Sequence, residues 1–143
     1  MTLSATETRP FAEPLERLKR VSLRPTRQRL ALARLLFSRG DRHVSAEQLH
    51  AEAKAARFAV SLATVYNSLN QFTRAGLLRE VVVEAGRSYF DTNTSDHHHV
   101  LAAHTGELVD IPPGAVSVSG LPPVPEGLEV ERVDVVVRLR KKV

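Results

Sequence analysis

The sequence predicts an α+β chain in two parts, a helical N-terminal domain closed by a β-hairpin and a smaller strand-rich C-terminal domain. Three observations carry this. Apolar residues recur at helical spacing as far as Gly76, and the pattern then changes to β-branched runs. Charge is uneven: residues 1–91 hold 15 Lys/Arg against 9 Asp/Glu, a net +6, whereas residues 92–143 hold 5 against 7, a net −2. Finally, four of the six histidines fall within the stretch "SDHHHVLAAH", residues 95–104.

The first predicted helix lies in "AEPLERLKRVSL". Pro14 sits near its start, where the missing N–H costs nothing, and Leu15, Leu18 and Val21 follow at helical spacing. The second, in "PTRQRLALARLLFSRG", takes Thr26 as N-cap, buries Leu32, Leu35 and Leu36, and stops at Gly40. "SAEQLHAEAKAAR" opens with a Ser45-x-x-Gln48 capping box and turns Leu49, Ala53 and Ala56 to one side. In "SLATVYNSLNQFTRAG" Ser61 caps, Val65, Leu69 and Phe72 form the apolar stripe, and Gly76 ends the helix.

"LLREVVVEAGRSYFDT" then reads as a hairpin about a Glu84–Arg87 turn. Helices of which the last two are joined by a short turn, followed by such a hairpin, make a winged helix-turn-helix. "TNTSD" (92–96) is the expected hinge between a DNA-binding domain, residues 1–91, and a second domain, residues 97–143. The second domain begins with a strand through His97–Ala103, a turn at His104–Gly106 and a strand over Glu107–Ile111. After a connector with five prolines comes a last strand in "LEVERVDVVVRLRKK", with Val133, Val135, Val137 and Leu139 on one face. Three strands have little core of their own, so this α/β domain is expected to bury its apolar face in a homodimer.

Composition narrows the chemistry. At 143 residues, with 43% hydrophobic and 25% charged residues, the chain has ordinary globular proportions. No apolar run nears the ~18 residues of a membrane-spanning helix, and residues 1–20 lack the apolar core of a secretory signal. A cytoplasmic protein without a membrane partner is expected. There is no cysteine, which excludes disulfides, thiolate catalysis and a structural Cys-zinc site. A transition metal would have to use imidazole and carboxylate ligands, which suit iron, manganese or zinc.

Nine basic residues and one acid lie between Arg17 and Arg42, which points to a polyanion. On the fourth helix the face opposite the core carries Tyr66, Asn67, Asn70 and Arg74, side chains able to read base edges or phosphates of double-stranded DNA. Arg24, Arg27 and Arg29 surround the Pro25–Thr26 helix start, a place suited to phosphate. For the histidines, a strand would turn His97 and His99 to one face and His98 to the other. His43 precedes the third helix and Asp91 ends the hairpin. A metal held by His43, Asp91, His97 and His99 would tie the two halves together, which is the design of a switch. His50 and His104 have no such neighbours in the sequence.

The segments "RPTRQRLALARLLF", "HVSAEQLHAEA", "SLATVYNSLNQFTRAGLLRE" and "GRSYFDTNTSDHHH" resemble the ferric uptake regulator family, from about Leu15 to Arg140. Within it, "YFDTNTSDHHH", "ELVDIP" and "VERVDVVVRLRKK" look most like the iron response regulator branch of alphaproteobacteria. The resemblance implies a dimeric, metal- or haem-responsive repressor that binds operator DNA. It maps the hinge metal site onto His43, Asp91, His97 and His99, with His98 as the alternative to His97 and as a candidate haem ligand. It also matches Tyr66 to a base-contacting tyrosine and Arg24 to a basic residue entering the minor groove. The chain departs from the family where Ala102 and Thr105 replace the first cysteine pair of a structural zinc site. Ser117 and Val133 likewise cannot supply a second regulatory site, and Asn67 stands where arginine is usual. Two other readings compete: a manganese- or zinc-sensing regulator of the same family, and a tri-His metalloenzyme with an open metal position. The sheet half offers that enzyme no evident acid–base partner.

Overall fold

The computed structural model describes residues 11–84 and 86–143, so Ala85 of the expected hairpin turn lies outside the described residues. The chain divides into two compact units, Met1–Thr94 and Ser95–Val143.

In the first unit, α1 (Ala12–Arg20), α2 (Arg27–Phe37), α3 (Ala46–Ala55) and α4 (Leu62–Arg74) follow the four predicted helices. Their starts are set locally. Thr26, Ser45 and Ser61 each accept a backbone N–H three residues on, and Gln48 returns the bond to Ser45 as a full capping box. Among the described helices only α1 lacks a side-chain cap. The chain reverses after α4 through Gly76, whose φ of 86° is open to a residue without Cβ.

Leu18, Leu32, Leu36, Leu49, Val65, Leu69 and Phe72 are fully buried in one core. Four positions expected on the apolar stripes differ. Leu15, Leu35 and Val21, the last just past the end of α1, are half-buried, and Ala56, just past the end of α3, is exposed. Strands β2 (Arg79–Glu84) and β3 (Arg87–Asp91) form the antiparallel hairpin. A two-residue strand not foreseen from sequence, β1 (His43–Val44), pairs with β3 and gives the order β1-β3-β2. Val81, Tyr89 and Phe90 are buried on this sheet.

The second unit is a three-stranded sheet of order β5-β4-β6, built from β4 (His99–Ala102), β5 (Glu107–Asp110) and β6 (Val136–Leu139). β4 is antiparallel to β5 and parallel to β6. The predicted strands were too long. His97 and His98 precede β4, and β6 spans four residues, so Val133 and Val135 lie outside it. Ladder partners share a face. His99 and Leu101 therefore face the same side as Asp110, Leu108 and Val136, and Val100 and Ala102 face that of Val109, Val137 and Leu139. Only Leu101, Leu108 and Ile111 are buried apolar residues among the described part of this unit. On the opposite face Val109, Val137 and Leu139 remain 48%, 38% and 49% exposed.

Candidate functional site

The donor groups of the expected effector site fall into two sets, one in each unit. In the first, His43 on β1 stands directly across the ladder from Asp91 at the end of β3. Shared facing brings ring and carboxylate together, with His43 Nε2 3.7 Å from Asp91 Oδ2. Asp91 is fully buried, and its Oδ1 accepts the Asn93 N–H at 2.9 Å. Such partners offset the large cost of burying a carboxylate.

In the second unit the His97 and His99 rings lie 4.5 Å apart between centroids. Both Nε2 atoms converge on one oxygen, Asp110 Oδ1, at 3.2 and 3.3 Å. His97 Nδ1 is 2.6 Å from the Ser95 carbonyl. A carbonyl only accepts, so Nδ1 carries the proton, and a neutral ring then has its lone pair on Nε2. That lone pair faces a carboxylate oxygen, which also only accepts. The contact is stable when a cation is shared, whether a proton or a metal ion. Donors ~2.0–2.2 Å from a zinc-like ion, at tetrahedral to octahedral angles, stand about 2.8–3.6 Å from each other. Both separations to Asp110 match. These nitrogen and oxygen donors fit a divalent first-row ion.

Asp110 was missed in the sequence. The signal lay in the turn at His104–Gly106, because pairing β5 back along β4 sets residue 110 against residue 99. His98 turns away from its neighbours, and its Nδ1 accepts the Val135 N–H at 3.1 Å. With Asp96 and Arg132 it lines a cleft of about 320 Å³. His50 Nε2 meets the Val60 carbonyl at 3.0 Å, a tie between α3 and the following loop. His104 is exposed in its turn.

On the α4 face expected to read DNA, Tyr66, Asn67 and Arg74 are exposed and Asn70 is half-buried. Arg24, Arg29 and Asn67 border one polar cleft of about 340 Å³, with Thr26 and Gln71. Arg29 is bonded inside the protein. Its Nε and Nη2 donate to Gln71 Oε1 at 3.3 and 2.9 Å, and its Nη1 to the Arg24 carbonyl at 2.8 Å. It braces the start of α2 against α4, whereas Arg24 is exposed. The Tyr66 hydroxyl donates to Glu47 Oε1 at 2.7 Å. That bond, helped by the backbone N–H of Glu47, holds the Glu47 carboxyl below its usual range, and it raises the Tyr66 phenol above its own.

Residues 20–119 match the ferric uptake regulator family. The chain belongs to that family. It is 36% identical over 98 residues to the peroxide operon regulator of Bacillus subtilis (strain 168), a match covering 68% of this chain and 67% of that one. It is 33% identical over 99 residues to the peroxide-responsive repressor PerR of Staphylococcus epidermidis, covering 68% and 65%. The matched stretch thus spans about two thirds of the length of these curated relatives. Among solved structures, the ferric uptake regulator from Pseudomonas aeruginosa with manganese has a TM-score of 0.66 at 26% identity, covering 91% of this chain and 98% of that one. Membership makes the chain a DNA-binding, metal-binding regulator of transcription and not an enzyme, which removes the tri-His metalloenzyme alternative. Among the described residues no helix is long and apolar enough to cross a membrane.

Proposed function

We propose that this chain is an iron-responsive repressor that binds operator DNA as a homodimer. In this reading its effector ion is held by His43, Asp91, His97 and His99, with Asp110 as a further donor. The supporting observation is His97, whose protonated Nδ1 on Ser95 leaves Nε2 to face Asp110 and a cation. Residues 1–91 read DNA and residues 97–143 dimerise. An ion shared by donors from both units favours one arrangement of the two DNA-reading surfaces. It shifts the equilibrium only as far as its affinities for the two arrangements differ.

A divalent ion is preferred to haem at His98. The His98 Nδ1 accepts from Val135, so a neutral ring carries its proton on Nε2 and offers iron no lone pair. Iron ahead of manganese or zinc, and the iron response regulator branch, rest on the resemblance of "YFDTNTSDHHH", "ELVDIP" and "VERVDVVVRLRKK". The test is operator affinity of the metal-free protein with Fe(II), Mn(II), Zn(II) and haem added separately. A response led by Fe(II) is expected. A response to manganese or zinc alone transfers the effector, and no response to any cation overturns the sensor.

The 36% identity to a peroxide operon regulator supports a second reading, a response to peroxide. It predicts that operator affinity of the Fe(II)-loaded protein changes on peroxide treatment while that of the Mn(II)-loaded protein does not.

DNA reading itself is tested on α4. Asn67→Ala is expected to cost roughly 1–3 kcal/mol of operator binding and to relax base preference. Unchanged selectivity in a competition assay would remove α4 as the reading helix.

A further inference from the structure

Tyr66 is the one large aromatic side chain on the exposed face of α4, and its hydroxyl is committed. The only proton that a phenol can donate goes to Glu47 Oε1, 2.7 Å away and 19 residues earlier in the chain. Glu47 occupies the second position of α3. A carboxylate there has a bland role, since acids in a first helical turn suit the helix dipole. Capping, however, is already complete without it, because Ser45 and Gln48 form the reciprocal box. The Glu47 side chain instead reaches the neighbouring helix.

We infer that Glu47 sets the polarity of base reading by Tyr66: it consumes the phenol proton, so that Tyr66 Oη meets DNA as an acceptor only. This rests on the reading that α4 contacts bases. In the major groove an acceptor selects the exocyclic amino groups of adenine N6 and cytosine N4. It is refused by guanine O6 and N7 and by thymine O4, which accept as well. It is refused equally by phosphate oxygens, and the Glu47 charge beside it repels them. Tyr66 is therefore a reader of amino-bearing bases and not a clamp on the backbone. Glu47 is a positioning residue, acting through Tyr66 without touching a base. Its carboxyl is held below the usual range chiefly by this same hydrogen bond, with Arg87 adding a weaker pull, so it stays ionised at neutral pH.

The experiment is a double-mutant cycle on the full-length, metal-loaded protein with Glu47→Ala, Tyr66→Phe and the pair. Binding is read against duplexes in which each operator position is varied in turn. Glu47→Ala is expected to weaken the preference for adenine or cytosine over guanine or thymine at one position by roughly two- to tenfold, the worth of one neutral hydrogen bond. In the Tyr66→Phe background the same change should do nothing further there. Ultraviolet titration supplies a second readout. The chain has two tyrosines, Tyr66 and Tyr89, and the transition missing in Tyr66→Phe should fall toward the ordinary phenol range in Glu47→Ala. Equal effects of Glu47→Ala with and without the Tyr66 hydroxyl would mean a helix-dipole role and overturn the inference. An unchanged preference would overturn it too. If Arg24→Ala and Asn67→Ala both leave operator binding intact, the DNA-reading surface lies elsewhere, and that separate failure carries the inference down with it.

Discussion

Replacing His97 and His99 together by Ala should give a protein that folds, dimerises and touches DNA, yet no longer changes its operator affinity on adding Fe(II), Mn(II) or Zn(II). Both rings are buried, 7% and 2% exposed, and both aim Nε2 at Asp110 Oδ1. Their loss leaves Asp110 without imidazole partners and removes two of the proposed donors at once. An allosteric coupling of about 1–3 kcal/mol corresponds to a change of roughly 5–150-fold in operator affinity. That change should vanish. Circular dichroism checks the fold, because removing two buried rings leaves space behind. Asp110→Asn provides an isosteric companion. It keeps the volume, halves the acceptor capacity of the carboxylate and removes the charge, so it should weaken the metal response without loss of the sheet. An undiminished response in both variants would place the sensor elsewhere in the chain.

The second large effect is expected at the sheet of the C-terminal unit. Val137→Glu should abolish the dimer. Val109, Val137 and Leu139 form an apolar face, whereas only Leu101, Leu108 and Ile111 are buried in the described part of that unit. A partner covering this face would withdraw from water the remaining exposed half of three aliphatic side chains, at about half of the roughly 1.5–3 kcal/mol that full burial of each is worth. A carboxylate on this face would be buried unpaired, at a cost exceeding that gain. Sedimentation should show a monomer whose operator affinity falls steeply, since one DNA-reading unit would then bind alone. Val135, expected from the sequence on the same strand face, is a poorer position for this test: it precedes β6, and its N–H and carbonyl bond to His98 and to the His99 N–H. A dimer of undiminished strength in Val137→Glu would exclude this face as the interface.

The helices of the first unit were legible because their determinants are local. Thr26, Ser45 and Ser61 cap within three residues of themselves, and Val65, Leu69 and Phe72 announce their common face by spacing alone. His43, Asp91, His97 and His99 could be singled out by residue type, since a chain without cysteine has few other ways to hold a transition metal. What spacing does not contain is pairing. The two-residue strand β1 exists only because β3 lies beside it, and that ladder alone sets His43 against Asp91. Asp110 enters through the register of β4 with β5, and Glu47 reaches Tyr66 because α3 and α4 pack together. Arg29 reads in the sequence as a phosphate contact at the start of α2, but packing gives its guanidinium to Gln71 and the Arg24 carbonyl. Residue types and local periodicity thus determined the helices, the hairpin and the kind of chemistry. Which donors face one another was decided by tertiary contacts between residues far apart in sequence, whose side-chain directions follow from strand register and helix packing.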